Sequence, residues 1–121
     1  MKHTAVLFVA AVVLTTAASA NAQDTAKAEQ GAALFTSQKC TMCHSVAGKG
    51  NPKGSLEKGA STRTADEIRQ WILDPEAMRA KTKATRTPAM KLTKLSKDQV
   101  DALVAYLTSL KPAKATGGAL Q

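Results

Sequence analysis

Cys40-Thr41-Met42-Cys43-His44 sets two thiols three positions apart, with an imidazole directly after the second. This is the attachment signature for c-type haem. A spacing of three puts both sulfurs on one side of a helical turn. A rigid porphyrin can meet both there, each thiol adding across one vinyl group to form a thioether. His44 then sits beneath the ring and offers a nitrogen to the iron.

A lone Cys-x-x-Cys is a weaker signal, open to a zinc site or a redox dithiol. A structural zinc site takes about four ligands. Beyond the N-terminal segment discussed next, the chain has two cysteines and one histidine, and His44 adjoins Cys43. A dithiol is expected in a βαβ context, and no segment here shows convincing period-two alternation. A haem protein with electron transfer as its chemistry is the first expectation.

Residues 1–22 read as a secretory signal. Lys2 and His3 precede the apolar run Ala5–Leu14, and small residues follow up to Ala20-Asn21-Ala22, an A-x-A cleavage pattern. Cleavage is expected after Ala22, with Ala18-Ser19-Ala20 as the alternative. The run is too short for a membrane span, which needs about 20 residues, so no stable membrane insertion is expected after cleavage. Export places the protein in the periplasm. Exported cysteine pairs often form disulfides, but haem attachment would consume both thiols here.

The remaining chain is long enough for one domain with a modest core. Domain limits are expected at 23–111, with 112–121 a mobile tail. Phe35, Trp71 and Tyr106 are its only aromatics, and a buried porphyrin would supply the missing apolar surface. The formal net charge is +8. In an exported chain without a nucleic-acid-binding motif, this excess points to an acidic redox partner protein. A monomer is expected.

Helical signals dominate. Ala28, Gly31, Ala32 and Phe35 recur at helical spacing within a predicted helix Thr25–Gln38. Gly31 costs about 1 kcal/mol relative to Ala in a helix interior, so it suggests close approach of another backbone. Residues Ala47–Ser61, with four glycines and a proline, read as loop. Leu56, the one large apolar residue there, is expected to pack on the haem. Thr64 and Glu67 form a capping box ahead of Ile68, Trp71 and Ile72. Pro75 stops that helix, and Asp74-Pro75 starts a short one carrying Met78. Lys81–Thr87 is basic and expected to be exposed. Pro88-Ala89-Met90 follows as extended chain. Ser96 and Gln99 cap the last helix, whose apolar face is Val100, Leu103, Val104, Leu107 and Leu110. The expected fold is all-α, about four helices around one covalently bound haem, with no strand.

The second axial position decides the chemistry. An open position would allow small-molecule binding or peroxide chemistry, and a filled one makes a carrier. No second histidine survives removal of the leader, so methionine, a soft thioether ligand, is the candidate. Met42 lies inside the attachment motif, and Met78 on a helix reads more readily as core filling. Met90, after a proline in a loop, can fold over the far face. The free ring N–H of His44 needs an acceptor, expected from a carbonyl in Asn51–Leu56.

Together these residues resemble a class I cytochrome c over nearly all of 25–111. The resemblance rests on Gly31 and Phe35 ahead of Cys40-x-x-Cys43-His44, the Gly-rich loop ending near Leu56, Pro88-x-Met90, and Val104-Ala105-Tyr106-Leu107. It implies a small soluble monohaem protein whose first and last helices cross, with Gly31 and Phe35 meeting Leu103 and Tyr106. It implies haem c held by Cys40 and Cys43, with His44 and Met90 as axial ligands. One departure stands out. The family usually carries Gly-Pro-x-Leu after the haem motif, and the proline carbonyl accepts from the ligand histidine. Here Ser55 of Gly54-Ser55-Leu56 takes the proline position. The expected role is a free electron shuttle rather than an enzyme. A fixed haem-bearing subunit of a larger periplasmic oxidoreductase, and an open-site haem enzyme or gas sensor, are the alternatives.

Overall fold

The computed structural model describes residues 17–91 and 94–110. Most of the expected leader and the whole of the expected tail 112–121 lie outside the described residues. Helix α1 is Ala17–Ser37, so it begins earlier than the predicted Thr25 and runs through both expected cleavage positions. Its first turns are rich in alanine, the strongest helix former. Residues 21–27 are all exposed, so propensity rather than packing accounts for this extension.

The inner half of α1 crosses α5, Lys97–Ser109. Gly31 is buried at the crossing. A Cβ there would strike the Ala102 carbonyl oxygen and Tyr106 Cβ. The contact is therefore helix backbone on helix backbone, which only glycine permits. Phe35 packs against Tyr106 with ring centroids 5.7 Å apart and planes tilted by 60°, a favourable aromatic geometry. Phe35 shares one buried cluster with Ile68, Ile72, Val100, Leu103 and Val104. Of these, Val100 is the most completely enclosed, at 2 % exposure. Burial of such a side chain stabilises by about 1.5–3 kcal/mol.

The predicted caps form. Thr64 Oγ1 accepts from Glu67 N at 3.2 Å, and Glu67 Oε2 accepts from Thr64 N at 2.8 Å. They open α3, Ala65–Leu73. These backbone and hydroxyl donors hold the Glu67 carboxyl below its ordinary range. Ser96 and Gln99 make the second box, at the start of α5. Ile68 and Ile72 of α3 face α5, and Arg69 adds an ion pair to Asp101 at 2.6 Å. Lys97 reaches the other Asp101 oxygen at 2.8 Å. These two donors, Lys97 foremost, lower the Asp101 carboxyl to about 2.

Asp74 Oδ1 accepts from Ala77 N at 3.0 Å and starts α4, Pro75–Thr82. Lys83, at φ 54°, ends it. The basic stretch expected from Lys81 onward thus begins inside a helix. Met78 is 4 % exposed, in keeping with core filling.

The expected loop 47–61 is more ordered than its glycines suggest. Strands β1, Ser45–Val46, and β2, Lys49–Gly50, pair antiparallel. Ala47 and Gly48, both at positive φ, turn between them. Pro52–Gly54 forms a 3-10 turn, and α2 is Leu56–Ser61. The expectation of no strand is thereby corrected. Two-residue strands are too short to show a period, and alanine replaces the Asn or Asp that normally marks such a turn. α2 was hidden by Gly59 in a six-residue helix.

Candidate functional site

The attachment motif is a turn closed on its own first residue. α1 stops at Ser37, and Lys39 adopts φ 58°. A 3-10 turn, Cys40–Met42, follows. The Cys40 carbonyl accepts from Cys43 N at 3.1 Å and from His44 N at 2.9 Å. Both thiols are free. Cys40 is half-buried against the α1–α5 core, and burial pushes its thiol above the ordinary range. Cys43 is exposed. Met42 between them is 69 % exposed.

His44 Nδ1 lies 3.2 Å from the Gly54 carbonyl oxygen. A carbonyl can only accept, so Nδ1 carries the proton and Nε2 presents a free lone pair. Burial lowers the His44 pKa; the Gly54 hydrogen bond opposes this, and the nearby Arg86 charge adds to it. Burial thus favours the neutral ring, the form that metal ligation requires. The acceptor falls inside the expected Asn51–Leu56 segment, and Gly54, not Ser55, provides it. The missing proline leaves this hydrogen bond intact because the 3-10 turn, started by Pro52 and Asn51, aims the carbonyl.

Two residues overlooked in the sequence build the rest of the cradle. Asn51 N lies 3.1 Å from both Thr41 O and His44 O. Its Nδ2 donates to Met42 O at 3.1 Å, and its Oδ1 accepts from Lys53 N at 3.0 Å. Arg86 donates through one guanidinium nitrogen to Cys43 O. Gly54 lies buried beneath this contact, where a Cβ would strike Cys43 O and both terminal nitrogens of Arg86. The glycines and proline of this stretch marked a loop, but not the partners of Asn51. No local signal joins Arg86 to a carbonyl 43 residues away.

Leu56 opens α2 half-buried and packs against the same core as Cys40. Met90 is half-buried in the irregular segment after α4, four residues beyond Arg86. The structure thus joins Cys40, Cys43 and His44 in one turn and ties that turn to the segment bearing Met90 through Arg86. An open groove of about 270 Å³ between α3 and α4, lined by Gln70, Leu73, Asp74, Ala77, Met78 and Lys81, shares no residue with this network.

The donor set fits a haem: two free thiols, a neutral imidazole with one nitrogen committed and the other available, and a half-buried thioether. Trp71 adds a further sign. Its Nε1 is buried without a hydrogen-bond partner among the described residues, and Arg63 stacks 5.3 Å from its ring centroid. A buried donor without an acceptor calls for an added group, and a carboxylate-bearing porphyrin is of that kind. Among the described residues no cluster of three or more His, Cys, Asp or Glu side chains could hold a bare metal ion, and no helix is long and apolar enough to cross a membrane.

Comparison with known proteins agrees with this geometry. Cytochrome c oxidase subunit 2 of Alkalihalophilus pseudofirmus is 29% identical over 93 residues, covering 69% of this chain and 26% of that protein. The chain thus spans about a quarter of the length of that curated relative. No solved structure matches. Residues 28–111 match the family model described as cytochrome c, a span that holds the attachment turn, the helix crossing and Met90. This protein therefore belongs to the cytochrome c family, in which a covalently bound haem c carries electrons.

Proposed function

We propose that this chain is an exported one-electron carrier, with haem c attached through Cys40 and Cys43 and both axial positions filled by His44 and Met90. The His44–Gly54 hydrogen bond is the observation that carries the reading, because it fixes the tautomer and leaves Nε2 for iron. The haem supplies a single iron centre that exchanges one electron between Fe(III) and Fe(II). The Gly54 carbonyl orients the imidazole and raises its basicity. The soft thioether of Met90 favours the reduced state and raises the potential. Leu56 and the flanking core restrict water. No residue acts as acid, base or nucleophile.

Lys39, Lys49, Lys53, Lys81, Lys83 and Lys91 are all exposed. With the net charge of +8, they support docking of an acidic partner at low ionic strength. The leader reading of residues 1–22 supports a periplasmic location. The similarity to an oxidase subunit favours a second reading, in which the same haem domain serves as a fixed component of a larger oxidoreductase.

Paired methionine variants test the ligand assignment. Met90→Ala should open the distal position, so that the ferrous protein binds carbon monoxide. Met78→Ala should lower stability by about 2–5 kcal/mol and leave the position closed. The reverse pattern would reject Met90. Electron-transfer on-rates that fall with salt would support transient docking, whereas co-purification with a second polypeptide through high salt would favour the fixed subunit.

A further inference from the structure

Among the described residues, Arg86 has contacts that neither haem attachment nor helix packing explains. It lies on the irregular segment between α4 and Met90, where an exposed arginine would ordinarily be free in solvent. Instead its guanidinium turns onto the attachment motif, 2.5 Å from the carbonyl oxygen of Cys43. Both of its terminal nitrogens lie over Gly54. The next residue on the motif side is His44, and the next atom beyond Gly54 Cα is the carbonyl that accepts from His44 Nδ1. One side chain of the Met90 segment therefore rests on the turn that carries one axial ligand and on the carbonyl-bearing residue that orients it. Asn51 satisfies the Thr41, Met42 and His44 carbonyls, but it belongs to the attachment side alone. Among the contacts described, only Arg86 crosses from the segment of the second ligand.

We infer that Arg86 is a positioning residue for the axial ligands, clamping the Met90 segment to the haem-attachment turn. The inference rests on the assignment of Met90 proposed above. A charge-assisted hydrogen bond to a carbonyl is among the stronger single tethers available to a loop, and the planar guanidinium fits over a residue without a side chain. Four residues separate the clamp from the sulfur, so release of the guanidinium frees the loop to swing Met90 away. Gly54 is part of the device, because any larger residue would push the guanidinium off.

The test uses the full haem-loaded protein and carbon monoxide as the probe of the distal position. In the wild type, the ferrous low-spin spectrum should resist carbon monoxide. Arg86→Ala should raise the rate of carbon monoxide binding at least tenfold. Arg86→Gln, which keeps an N–H donor without charge, should fall between, and Arg86→Lys should lie nearest the wild type. Lys94→Ala, which removes an exposed cation four residues beyond Met90, should match the wild type. A graded response with intact haem content separates a lost clamp from general destabilisation. If the wild type is closed and all three Arg86 variants bind carbon monoxide within twofold of it, the clamp is wrong and the Met90 reading stands. If the wild type itself binds carbon monoxide freely, the Met90 reading fails and the clamp fails with it. A Lys94→Ala response as large as that of Arg86→Ala would also overturn the clamp, because charge alone would account for it.

Discussion

The α1–α5 crossing and the attachment turn are held by opposite means. At the crossing, apolar side chains and two helix backbones press together, and only Gly31 permits the approach. At the turn, Cys40 and His44 are half-buried and Cys43 is exposed. Its carbonyls are capped by Asn51 and Arg86, and its histidine by Gly54. The crossing depends on volume and tolerates little added atom by atom. The turn depends on directed donors and acceptors, and it is shaped to receive a group that the chain does not make. A hydrophobic scaffold thus carries a polar cradle, with Cys40 and Leu56 lying where the two meet.

Loss of the haem should produce the largest effect. The Cys40→Ala, Cys43→Ala double variant cannot form thioethers. With so few aromatics to fill the core, it should lose most of its helical circular dichroism and its cooperative thermal transition. A retained cooperative transition would show that the crossing is self-sufficient and would sharpen the division between the two regions. Gly31→Val comes next. Its side chain would collide with the Ala102 backbone, and overpacking of this kind costs about 3 kcal/mol. Urea denaturation should show that loss while the haem spectrum stays unchanged; an altered spectrum with little loss of stability would break the comparison.

These two regions also differed in how much their sequence revealed. Gly31 was readable because a glycine inside a periodic helix is locally costly. The two capping boxes were readable because their partners lie three residues apart. Cys40, Cys43 and His44 carry their chemistry in a contiguous motif. Gly54 O was bracketed but not singled out, because a loop carbonyl has no side-chain identity to read. Asn51 was readable only as part of a loop and Arg86 only as charge, because their partners are backbone carbonyls, which carry no side-chain identity, and that of Arg86 lies 43 residues away. The hairpin Ser45–Gly50 escaped because its strands are too short to show a period. Directed backbone contacts are a tertiary property, whereas apolar periodicity is written locally.

Asn51→Ala should have a smaller effect. It removes two side-chain hydrogen bonds at the turn, at a cost of about 1–2 kcal/mol. Unlike Gly31→Val, it should disturb the haem environment, visible as a shift in reduction potential. Asp101→Asn should have the smallest effect. The Asp101 carboxyl, lowered to about 2 by Lys97 and Arg69 from an ordinary 3.8, stabilises the fold above the ordinary value. That contribution fades as pH falls from there toward 2. The variant should lose at most a few degrees of Tm at pH 7, with the difference from wild type closing in acid. A difference that persists at low pH would mean that the Asp101 effect is packing rather than charge.

The most direct single measurement is the absorption spectrum of the haem-loaded ferrous protein before and after carbon monoxide. An unchanged low-spin spectrum is expected if, as proposed, His44 and Met90 hold both axial positions and leave the iron only electron exchange. A prompt shift on adding carbon monoxide would show an open or labile distal position. It would contradict the carrier reading and point to a haem enzyme or gas sensor.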